Sequence, residues 1–135
     1  MKLDRAGRQS RFSALLHEAD RSGDSAPFLG HVKDLSPAAA DVEIRSLSSS
    51  DEGVNEFVAF VKALVALLES KRDFELGQAW MAVFLKLHAD VVVRDGEVRE
   101  AVAEWRDRVA VEKERVADLA EYCGGLVGFL RAGRV

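Results

Sequence analysis

Residues 71–88, KRDFELGQAWMAVFLKLH, set the tightest limit on how this chain can fold. At about 100° per residue, Phe74, Gly77, Met81, Phe84, Leu85 and His88 fall on one side of a helix. Leu76, Trp80, Val83 and Leu87 fall beside them, and the two rows merge into an apolar arc of roughly 200°. Glu75, Gln78, Ala82 and Lys86, with Ala79 at the edge, remain for solvent. A helix this apolar needs cover on several sides, so the spacing predicts the central rod of an all-α domain.

The segment before it has the same character. Over residues 52–69, Val54, Phe57, Val58, Phe60, Val61, Leu64, Val65, Leu67 and Leu68 fill about half a helical circumference, and Ala59, Ala63 and Ala66 make a small-residue edge for close approach. The charged turn at residues 70–73 is short enough to send the chain back antiparallel, which predicts a central αα-hairpin with Asp73 capping its second helix. Upstream, Ser10 is placed to cap a helix carrying Phe12, Leu15, Leu16 and Ala19. Pro27 opens a short one through Phe28, Leu29, Val32 and Leu35. Ser36-Pro37 supplies a cap and a first-turn proline for a third, with Val42, Ile44 and Leu47 pointing inward and Asp51 capping the helix that follows. Val91-Val92-Val93 before Asp95-Gly96 is too short to hold a sheet.

From Glu97 to about Arg131 no proline interrupts the pattern. Val98, Val102, Trp105, Val109, Glu112, Val116, Leu119, Cys123, Leu126 and Leu130 recur at alternating spacings of four and three, a heptad seam with one polar member. Unbroken, this helix would be about 50 Å long. It must either kink at Gly124-Gly125 or project beyond its own domain. The expected architecture is a single domain over residues 10–135, with about five to six helices ending in this long one. Before it stands a short basic end at residues 1–9, where Lys2, Arg5 and Arg8 outnumber Asp4.

Composition narrows the function. A chain of 135 residues with 48% hydrophobic and 31% charged side chains can bury a core without staples. Cys123 is the only cysteine, so an intrachain disulfide is impossible and a reducing compartment is the natural expectation. The net charge of −4 argues against general affinity for nucleic acid. No apolar run approaches the roughly 18 residues that span a bilayer. His17, His31 and His88 are scattered, and only His88 has a carboxylate nearby in sequence, Asp90. Neither HExxH nor paired CxxC spacing occurs, so no metal ligand set is formed. Cys123 on the seam reads as a small hydrophobe, and Gly124, Gly125 and Gly128 do not make a phosphate loop. With no threonine and Asn55 the only asparagine, few neutral polar groups remain to line a substrate site. An enzyme is not expected.

Ser36-Pro37, Glu43-Ile44-Arg45-Ser46-Leu47, Arg72-Asp73-Phe74-Glu75-Leu76, Gln78-Ala79 and Phe84-Leu85-Lys86-Leu87-His88 together resemble one family. It is the C-terminal helical domain of tandem WD-repeat proteins in the UTP-B subcomplex of the small-subunit processome, associated with the U3 small nucleolar RNA. The chain departs from that pattern at Gly77, where alanine is usual, and at Trp80-Met81, where a tyrosine or leucine pairing is. The resemblance implies a domain of a larger WD-repeat protein, acting without catalysis in the nucleolus. There it would support 18S ribosomal RNA processing and early formation of the small subunit. It implies docking on sibling WD-repeat subunits and other assembly factors, with RNA reached through the assembly. No cofactor, metal, membrane or small-molecule substrate is implied. Candidate interface residues are Arg45, Lys71 and Arg72 of the charged turn, Gln78 and Lys86 on the polar stripe, and Trp105 on the long helix. Pairing of Arg45 with Glu75 would be a structural use of the same charges. Direct RNA contact is the alternative, and it needs Lys and Arg gathered on one face.

Overall fold

The computed structural model describes residues 10–48, 55–70 and 73–132, with the backbone alone for residues 116, 119, 120 and 122–132. Among the described residues six helices follow one another: α1 (Arg11–Ser22), α2 (Ala26–Lys33), α3 (Pro37–Arg45), α4 (Glu56–Glu69), α5 (Phe74–Arg94) and α6 (Gly96–Ala132). The all-α expectation holds. The basic end, the Asp51 cap and Lys71 and Arg72 lie outside the described residues.

Local chemistry sets the helix ends. Ser10 accepts a hydrogen bond from Ser13 N at 3.1 Å, and Ser36 accepts one from Ala39 N at 3.1 Å, both at the start of their helices. At its far end α1 stops on Gly23, whose φ of 78° is left-handed and whose N–H closes on the Ala19 carbonyl. The cap of α4 is Asn55, whose side-chain carbonyl accepts from Phe57 N at 3.1 Å and Val58 N at 3.4 Å. Asp73 precedes α5 without capping it by side chain; its carboxylate pairs instead with Lys33 of α2 at 2.6 Å.

α4 occupies the centre. Phe57, Ala59, Phe60, Val61, Ala63, Leu64, Val65, Leu67 and Leu68 are all buried on it, because α1, α2, α5 and α6 pack around it. This corrects the expectation that α5 would be the central rod. α5 buries Gly77, Met81, Phe84 and His88 of its first row and Trp80 of its second, while Phe74, Leu85, Leu76, Val83 and Leu87 are only half-buried. The neighbour beside the second row, α3, is nine residues long and covers part of it. α5 is long and apolar enough to cross a bilayer by length and composition, contrary to the sequence reading. Its inner row, however, is part of the hydrophobic core, which accounts for the apolar content. The helix also takes in Val91-Val92-Val93, bending at His88, where φ is −127° and ψ is 28°.

The hairpin of α4 and α5 is antiparallel, and aromatic rings mark its register. Phe57 meets the His88 ring at 5.0 Å and Phe60 stacks on Phe84 at 5.7 Å, and near the turn Gly77 faces Leu67. Phe28 and Phe12 extend the ring chain into α2 and α1 at 6.2 and 5.0 Å. α6 then runs parallel to α4. Val58 and Lys62 of α4 line one hollow with Glu97, Glu100 and Glu104 of α6, and Arg108 reaches Glu69 at 3.6 Å. The first half of the seam is as expected: Val98 and Val109 are buried, and Val102 and Trp105 pack against the core. Val42 is a second correction. It is 62% exposed, since the buried row of this region runs Ala40, Ile44, Leu47 and leaves Val42 on the far face.

Candidate protein interface

Among the described residues the most deeply placed charge is Glu56, 1% exposed, at the first position of α4. Its Oε2 accepts from Ser13 Oγ at 2.8 Å and lies 3.0 Å from His17 Nε2. Its Oε1 accepts from Ser48 N at 3.0 Å and Ser48 Oγ at 3.4 Å. One carboxylate therefore fastens α1 and the segment before α4 to the start of the central helix. The position also suits a negative charge, since the helix dipole is positive there.

A serine, a histidine and a carboxylate in contact invite a nucleophile reading, and the geometry opposes it. Ser13 and His17 both address Oε2 of Glu56, so the carboxylate stands between them and the imidazole does not receive the serine proton. Sequence reasoning missed this cluster and assigned a nearby carboxylate only to His88. The signal was present: Glu56 shares a helical row with Phe60, Ala63 and Leu67, so a charge was bound for the core.

His88 is a buried histidine with a structural role. Its Nε2 donates to the Ile44 carbonyl at 2.8 Å, which ties the end of α3 to the bend in α5, and Phe57 and Phe84 enclose the ring. Asp90 pairs instead with Arg94. Asn55 joins two helix starts: Nδ2 donates to Asp95 Oδ2 at 3.0 Å, while Asp95 Oδ1 caps α6 through Glu97 N at 2.9 Å. Among the described residues no group of three His, Cys, Asp or Glu is placed to hold a metal ion.

The candidate interface residues lie on three helices and do not converge on one spot. Arg45 is exposed at the end of α3 and pairs with Asp41 at 3.2 Å, one turn back, in place of Glu75. Lys86 is exposed and Gln78 half-buried on the outer side of α5. Trp105 is half-buried and turned onto the core, with its indole N–H buried and unpartnered among the described residues. What the fold does assemble is a cleft between α3 and α5 with a cavity of about 240 Å³. Pro37, Ala40 and Ile44 form one wall, and Leu76, Trp80 and Val83 the other. Its polar members, Lys33 and Asp41, are held in ion pairs with Asp73 and Arg45.

Buried polar groups spent on holding helices together, an apolar cleft and a long terminal helix define a helical packing domain. The chain belongs to the family of the Utp21-specific WD40-associated domain, whose sequence profile it matches over residues 1–131. It is 37% identical over 128 residues to the U3 small nucleolar RNA-associated protein 21 homolog of Schizosaccharomyces pombe, covering 90% of this chain and 14% of the relative. It is 36% identical over 129 residues to U3 small nucleolar RNA-associated protein 21 of Saccharomyces cerevisiae, covering 93% and 14%. Human WD repeat-containing protein 36 is 35% identical over 82 residues, 60% of this chain and 9% of that protein. The chain thus spans about a seventh of the length of the two fungal relatives.

Proposed function

We propose that this chain is a non-enzymatic protein–protein assembly module of the small-subunit processome. The family match over residues 1–131 carries the reading, since it joins nearly the whole chain to proteins named for association with the U3 small nucleolar RNA. The module docks on sibling WD-repeat subunits and other factors of the UTP-B subcomplex in the nucleolus, within a larger WD-repeat protein. Through that assembly it supports 18S ribosomal RNA processing and formation of the 40S subunit. The chemistry fits: Arg45 is held in an ion pair and Trp105 packs on the core, and Ser13, His17 and Glu56 are tied into a structural cluster.

The test is replacement in the S. cerevisiae relative. Deleting its matched segment should lower mature 18S RNA relative to the large-subunit RNA, and this chain in its place should restore the ratio. An unchanged ratio on deletion would refute the proposal.

A further inference from the structure

We draw no further inference here: the strongest candidate, the apolar cleft between α3 and α5 lined by Pro37, Ile44, Leu76, Trp80 and Val83, carries none because its rim charges Lys33 and Asp41 are already paired with Asp73 and Arg45 and nothing in the structure shows what covers it.

Discussion

Replacing Asn55 probes the point where the starts of two helices are held together. Asn55 caps α4 through two backbone N–H groups and donates to Asp95, which caps α6. Loss of the cap costs about 1 kcal/mol. Loss of a hydrogen bond to a carboxylate costs about another. Asn55→Ala should therefore destabilise the domain by about 2 kcal/mol. In urea unfolding followed by circular dichroism the midpoint should fall at unchanged slope, and the melting temperature should drop by about 6 °C. Asn55→Asp keeps the cap acceptors but turns the donor into a carboxylate facing Asp95, and should cost about 1 kcal/mol or more. Adding Asp95→Asn should recover most of that, because the new amide can donate to the carboxylate introduced at position 55 while its oxygen caps α6. The expected coupling is at least about 1 kcal/mol, well outside the additivity of independent sites. Single changes that simply add, within about 0.3 kcal/mol, would refute the bridge.

Further predictions follow from the packing. Gly77→Ala should stabilise by about 0.5–1 kcal/mol, since the new Cβ would rest 3.4 Å from Leu67 Cδ2 in ordinary contact while helix propensity improves. A clear loss of stability would mean that the hairpin is tighter than described. Glu56→Ala should cost about 3 kcal/mol or more and Glu56→Gln less, because the amide keeps an acceptor for part of the Ser13, His17 and Ser48 set. Equal stability of wild type and Glu56→Ala by denaturant titration would show the cluster to be dispensable. His88→Ala should cost about 3 kcal/mol through a lost hydrogen bond to Ile44 and a cavity between Phe57 and Phe84. A cost below about 1 kcal/mol would contradict that packing.

Short-range chemistry was the legible part of the fold. Ser10, Ser36 and Pro37 marked helix starts because caps and first-turn prolines act within four residues, and the hairpin followed from two apolar segments and a short turn. The seam from Val98 to Val109 was readable because a period of three and four survives any tertiary environment. Centrality was not readable. α4 and α5 are both broadly apolar, and α4 is the enclosed one because α1 and α2 pack on it besides α5 and α6, while the nine-residue α3 covers only part of α5. Val42 was misplaced for the same reason: a short helix buries one row, and Ala40 and Ile44 took it. The Glu56 cluster joins residues about forty positions apart, so spacing rules could not find it, although a charge in the row of Phe60 gave notice. The candidate interface was least legible, since exposure at Arg45 or Lys86 does not name a partner.

The most direct measurement is capture of partners by the tagged chain from nucleolar extract, with and without ribonuclease, read by mass spectrometry. Recovery of sibling WD-repeat subunits that persists after nuclease treatment is the predicted result. Recovery that disappears with the RNA, or capture of no processome protein in either sample, would contradict a module that assembles through protein contacts.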